Sequence, residues 1–179
     1  KADEDGAALV FTGKMDFRAN IDAMLWFGQE VMPLVKKAVP TTRLYIVGQK
    51  PHPRLDVLRA DPNITITGAV DDIRPHIARA GVYIAPLRVG GGTRFKLLEA
   101  MALRKAIVTT SLGCEGFEIE NGKEALIADT APAFAQAVIR ALRDAEATLA
   151  AQRKLGGEAA QATVRAPFDG VITAIAVAQ

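Results

Sequence analysis

An alternation along the chain restricts the fold more than any other feature. Short apolar runs rich in β-branched residues, ALVFTG (8–13), RLYIVG (43–48), ITITG (64–68), VYIAPL (82–87), AIVTT (106–110) and EALIAD (124–129), are separated by segments with helical spacing. That order is the signature of parallel strands, because each strand must return through a connection long enough to cross the sheet, usually a helix. The runs are apolar at nearly every position instead of every second one, as a sheet covered by helices on both faces requires. Helices are expected over 20–38, broken or bent near Pro33; over 53–60, starting at Pro53; over 71–79, opened by Asp71 and Asp72; and over 94–103 and 131–146. Beyond residue 150 the alternation ends, and a tail interrupted at Gly156, Gly157 and Pro167 reads as one or two further helices. The fold class is α/β: a doubly wound, Rossmann-like parallel sheet of about six strands with a helical C-terminal extension. Residues 1–7 read as a linker, 8–150 as the Rossmann-like domain and 151–179 as the extension.

Composition removes several functions. With 22 basic and 20 acidic residues the formal charge is +2, which leaves no excess of cations to grip a phosphate backbone, so nucleic acid is not an expected partner. One cysteine, Cys114, can form neither an internal disulfide nor a metal cluster, and a lone thiol suits a reducing compartment. No apolar run approaches the ~20 residues that cross a bilayer, so no transmembrane segment is expected and the expected location is the cytoplasm. His52, between two prolines, and His76, after Pro75, read as structural, and Trp26 and Phe27 read as core of the first helix.

Doubly wound sheets bind ligands beyond the carboxyl ends of their strands, so the loops after the strands are the places to search. RVGGGTRFKLLEAMA (88–102) follows the VYIAPL strand. Gly90, Gly91 and Gly92 carry no Cβ, so an anion can approach their N–H groups closely. A helix starting near Thr93 or Arg94 would aim its unpaired N–H groups and positive dipole end at the same point. Lys96 and Glu99 are three apart and share a face, while Phe95, Leu98 and Ala102 form a stripe able to pack on the sheet. A lysine in the first turn opposes the helix dipole unless an anion is present, and a carboxylate one turn on can accept hydrogen bonds from vicinal ribose hydroxyls. On the residues alone two readings stand: a diphosphate cradle, or a tight corner with Lys96 and Glu99 as an exposed pair. Neither the P-loop nor the G-x-G-x-x-G pattern fits.

Taken together, GKMDFRANIDAMLWF, LYIVG, ITITGAVDDIRPHIARAGVYIAPLRVGGGTRFKLLEAMALRKAIVTTSLGCEGFE and EALIADTAPAFAQAVIRAL resemble the C-terminal, nucleotide-sugar-binding half of glycosyltransferase family 4. These are retaining enzymes of two facing Rossmann-like domains, the arrangement called GT-B. The resemblance runs from about residue 8 to about residue 146 and is most specific in PLRVGGGTRFKLLEAMA with the IVTT and CEG that follow. It implies that Lys96 contacts the donor's phosphates and Glu99 the ribose hydroxyls. It also implies that the backbone from Gly90 through Gly91, Gly92 and Thr93 lies against the diphosphate and donor sugar, and that Val70 and Asp71 border the nucleobase. The family's first loop supplies an arginine and a lysine; here Lys14 stands at the arginine position, and Ala19 at the lysine position with Arg18 beside it. Many members carry two glutamates with seven residues between them; the second matches Glu99, and the first falls on Gly91, which removes a contact to the donor sugar.

The implied substrate is a UDP-, GDP- or ADP-sugar, with no cofactor and no metal, since fixed donors and a lysine can stabilise the charge developing on a leaving diphosphate. The implied partner is an N-terminal acceptor-binding domain from which residues 1–7 would lead. That domain shares the main catalytic groups, so no catalytic residue is assigned within this chain, and the isolated chain is expected to transfer little. The intact enzyme is expected in the cytoplasm, with peripheral attachment to the inner membrane as a variant. Two other readings remain: an α/β nucleotide- or ligand-binding module without catalysis, and a sugar-nucleotide epimerase, for which the acid and histidine groups of proton abstraction are lacking.

Overall fold

The structure, a computed structural model, describes residues 5–92 and 94–154; residues 1–4 of the expected linker, Thr93 and the expected helices of the tail from 155 on lie outside the described residues. Six parallel strands form one sheet in the order β3-β2-β1-β4-β5-β6: β1 (Asp5–Thr12), β2 (Arg43–Val47), β3 (Ile64–Gly68), β4 (Ala80–Ala85), β5 (Ala106–Thr109) and β6 (Leu126–Ile127). The helices are α1 (Arg18–Trp26), α2 (Met32–Ala38), α3 (Arg74–Arg79), α4 (Phe95–Ala102) and α5 (Ala131–Lys154). Among the described residues no helix is long and apolar enough to cross a membrane.

The nearly unbroken apolar runs are explained by the pleat. Successive strand residues point to opposite faces, so Leu9, Phe11, Val82 and Ile84 enter one core layer while Ala8, Val10, Tyr83 and Ala85 enter the other. The first layer is closed by Phe27, Met32, Phe134 and Val138, the second by Ile77, Leu97 and Met101.

Several elements differ from the sequence expectation, and for some of them a local reason is visible. β1 starts at Asp5, three residues before Ala8, because Asp5 pairs with Ala80 in the ladder and its carboxylate meets the Arg43 guanidinium on β2. The first long helix is interrupted by a π segment, Phe27–Val31, one turn before Pro33. Proline has no N–H for the carbonyl four residues back, and slipping the ladder to a wider spacing absorbs that loss without ending the helix. Gly28 lies in that segment, where a Cβ would come within 2.5 Å of Leu58 Cδ2. Pro53–Ala60 is a 3-10 helix, not an α-helix. The third expected helix shortens to α3: Asp72 sits outside it and accepts from the Arg74 backbone N–H at 2.9 Å and from its guanidinium, and that pairing holds its carboxyl below the usual range. β6 is reduced to two residues, and α5 runs on to Lys154, past the expected end at 146.

Candidate functional site

The strand order places a reversal between β1 and β4, since β1, β2 and β3 proceed to one side and β4, β5 and β6 to the other. At such a point the two connections leave in opposite directions and open a crevice beyond the strand ends. Two loops flank it here: Gly13–Phe17 after β1, and Pro86–Arg94 between β4 and α4.

The β1 loop is held rigidly. Gly13 N donates to Val47 O at 3.1 Å and Met15 N to Gln49 O at 2.9 Å, and the Met15 side chain is fully buried. A Cβ on Gly48 would fall 1.8 Å from Gly13 O, so only glycine permits the two strand ends to approach this closely. Asn20, buried near the start of α1, fixes the loop from below: its Nδ2 donates to Lys14 O at 2.8 Å.

The same asparagine receives Lys96. From the first turn of α4, Lys96 Nζ crosses to donate to Asn20 Oδ1 at 2.7 Å and lies 4.2 Å from the centre of the Phe11 ring. A Cβ on Gly13 would meet this nitrogen at 3.2 Å, so the ammonium sits at the tip of β1 itself. Burial, then the charge of Arg94, pushes the Lys96 pKa down to about 7 against the opposing pull of Glu99. An ammonium has three protons to donate, of which Asn20 takes one. Glu99 is exposed one turn further along α4. Beneath it lies a buried pair, Thr12 Oγ1 and Tyr83 OH at 2.7 Å, and the Tyr83 phenol is pushed up chiefly by burial, with the Glu99 charge adding to it.

The glycine loop is tied at both ends. At its entrance Arg88 donates to both carboxylate oxygens of Asp22, at 3.1 and 2.9 Å, and its guanidinium stands 5.1 Å from the centre of the Trp26 ring. At its exit the Arg94 side chain is only 5% exposed; Nη2 donates to Gly90 O at 3.0 Å and Nη1 to Gly91 O at 3.3 Å. Arg94 Nη2 also lies 3.8 Å from Glu115 Oε2, which links the glycine loop to the loop after β5. Gly90 and Gly92 both have φ near +96°, a left-handed region that suits glycine, and Gly91 and Gly92 face open space.

The residues singled out in the sequence are distributed as follows. Lys96 reaches the tip of β1, where it lies against Gly13, a residue the sequence did not single out; Glu99 is one turn on, and Gly90, Gly91 and Gly92 form the turn before α4. Lys14 on the β1–α1 connection and Arg18 at the first residue of α1 are both exposed, with Lys14 anchored through its carbonyl. Val70 enters after β3, two strands from β1, and packs half-buried on the second core layer. The α4 stripe requires correction: Phe95 is 67% exposed, Ala102 is exposed, and the buried face is Leu97, Ala100 and Met101. Turning Lys96 toward β1 rotates the helix, so the neighbours that face the sheet are one position along. Asn20 and Arg94 were not anticipated as site residues. The available signals were an asparagine at the start of the first helix and an arginine placed directly between the glycines and α4. Among the described residues no group of three or more His, Cys, Asp or Glu side chains could hold a metal ion.

Residues 6–144 match the family described as Glycosyl transferases group 1. A Klebsiella pneumoniae relative, described as an uncharacterized 44.6 kDa protein in the cps region, is 27% identical over 147 residues; the match covers 78% of this chain and 38% of that protein. The chain therefore spans well under half the length of this relative. Among solved structures, the fold is similar to a Staphylococcus aureus TarM variant in complex with fondaparinux, alpha-GlcNAc-glycerol and UDP (TM-score 0.62, 16% identity, 80% of this chain and 30% of that one). It is similar also to the pneumococcal O-GlcNAc transferase GtfA in complex with UDP and GlcNAc (TM-score 0.61, 17% identity, 86% and 32%). A third likeness is to sucrose-phosphate synthase from Thermosynechococcus elongatus (TM-score 0.60, 20% identity, 82% and 38%).

Proposed function

The chain belongs to the group 1 glycosyl transferases, and from that premise we propose that it is the donor-binding half of a retaining enzyme that takes a sugar from a nucleoside diphosphate sugar. The observation that carries the reading is Lys96. A lysine that crosses from α4 to the tip of β1, keeps one hydrogen bond to Asn20 and sits half-buried near a second cation, Arg94, is poorly accommodated as an ammonium without an anion. The donor's diphosphate supplies that anion, and Glu99, one turn on, is set to accept from ribose hydroxyls.

In the reaction the bond between the anomeric carbon and the diphosphate breaks, and negative charge accumulates on the leaving oxygen. The Lys96 ammonium and the amides of the glycine turn stabilise that charge, and their effect is largest where water is excluded. Lys14 and Arg18 lend positive charge at the opposite lip, and Val70 borders the base. The acceptor and the groups that guide it belong to a further domain. A cytoplasmic setting belongs to the same proposal and rests on the lone Cys114 thiol.

The test is titration of the 179-residue chain with UDP, GDP and ADP, starting with UDP because two of the similar structures hold it. One of the three is expected to bind, and Lys96→Ala and Glu99→Ala are each expected to weaken it at least about tenfold, the order of a lost charge-assisted hydrogen bond. Silence toward all three nucleotides would leave an α/β module without a donor site.

A further inference from the structure

Arg94 is almost wholly buried, yet among the described residues no carboxylate lies closer to it than Glu115 Oε2 at 3.8 Å, and none gives its Nε a hydrogen-bond partner. A buried guanidinium is costly to keep unless its position serves something else. Its two close bonds go to main-chain oxygens, Gly90 O and Gly91 O. In a planar trans peptide the N–H points away from the C=O of the same unit. With the Gly90 carbonyl held by Nη2, the Gly91 N–H is directed away from the guanidinium; with the Gly91 carbonyl held by Nη1, so is the Gly92 N–H. Both glycines face open space. Two adjacent amides facing the same way form a concavity for an anion, whereas a loop free to flip its peptides would also present carbonyls to the ligand.

The charges agree with this arrangement. Arg94 and Lys96 lie near enough for the guanidinium to disfavour the lysine's ammonium form. Two cations brought together with, among the described residues, only the exposed carboxylates of Glu99 and Glu115 acting on them mark a place where a further negative charge completes the set.

We infer that Arg94 is a positioning residue: by gripping the Gly90 and Gly91 carbonyls it turns the Gly91 and Gly92 amides outward to receive the diphosphate of the ligand. This rests on the donor-site reading above, and it adds that the glycine turn is preorganised by a side chain which does not itself touch the ligand.

The test uses the 179-residue chain and compares UDP with uridine by calorimetry, alongside thermal melts. Arg94→Lys keeps a charge but cannot fork across two carbonyls. It is expected to weaken UDP at least tenfold and leave uridine within twofold, and Arg94→Ala is expected to weaken UDP further. In the unaltered chain, UDP but not uridine is expected to shift the backbone amide resonances of Gly91 and Gly92, a readout that needs no variant to fold. UDP binding by Arg94→Lys at the unaltered level, or amide signals of Gly91 and Gly92 that stay fixed as UDP saturates, would overturn the positioning role while the donor site stands. An equal loss of UDP and uridine would overturn it too, by showing general damage to the site. No binding of any nucleoside diphosphate by the unaltered chain would overturn the donor site and this inference together. GDP with guanosine, or ADP with adenosine, replaces the UDP pair if that is the nucleotide bound.

Discussion

Lys96 carries a titration that the donor site would use. Its pKa falls from 10.5 to about 7, first because burial removes its water and then because Arg94 repels it, with Glu99 pulling the other way. Between those two values the unfolded chain holds the proton and the ligand-free fold does not, so the fold gains stability as pH rises through that window. Melts across it are expected to show the gain, and Lys96→Met is expected to remove it. A bound diphosphate reverses the preference, since an anion against the nitrogen favours the ammonium form. Above about pH 7, binding is therefore expected to take up close to one proton, and UDP affinity to fall by up to about tenfold per pH unit. Calorimetry in buffers of different ionisation enthalpy measures both, and an affinity that stays level above pH 7 would separate Lys96 from the ligand. The residue was legible in the sequence because its spacing from Glu99 needs only a helix. Its partner was not: Asn20 is 76 positions away, and nothing local links the two.

Among the elements, strands and helices were legible where one periodicity ran uninterrupted, and altered where a single side chain imposed a local demand. Pro33 announced a break but not its form, because the missing N–H can be met by ending the helix or by slipping its ladder, and the π segment at Phe27–Val31 takes the second route. That segment also presents Phe27 to α5. Phe134, fully buried on α5, stands edge-on to Phe27 at 6.0 Å and to Trp26 at 5.6 Å, so one ring joins the interrupted helix to α5. Phe134→Ala is expected to cost about 3–5 kcal/mol by urea unfolding, as a large cavity in a closed core does. A loss under about 1 kcal/mol, the usual range for surface changes, would mean that the aromatic triad does not hold these helices together. In α4 the helix was legible but its phase was one position off, because Lys96, which reads as surface, is drawn in to β1 and turns Leu97, Ala100 and Met101 to the sheet.

At the scale of the molecule, the strand order decides what the loops can do, because β1 and β4 become neighbours only when the chain reverses direction across the sheet. On the donor-site proposal this chain supplies one face of the cleft, and one face does not make a transferase. A protein that extends this chain to the length of its Klebsiella relative is expected to transfer sugar from a nucleoside diphosphate donor, and the 179-residue chain alone to turn over slower by at least on the order of a hundredfold, the scale of losing reactant alignment. Product formation followed by mass spectrometry distinguishes the two, and equal rates would place the whole reaction within this chain. By itself the sequence determined the six-strand parallel sheet, the glycine turn and the Lys96–Glu99 spacing, since these depend on neighbours along the chain and on a hydrophobic period. Tertiary structure alone decided that Lys96 meets Asn20 at the tip of β1, that Arg94 is buried against the glycine carbonyls and that Phe95 is left outside. Each of those outcomes is a choice among partners far apart in sequence, settled by which charges and volumes the closed sheet brings within reach.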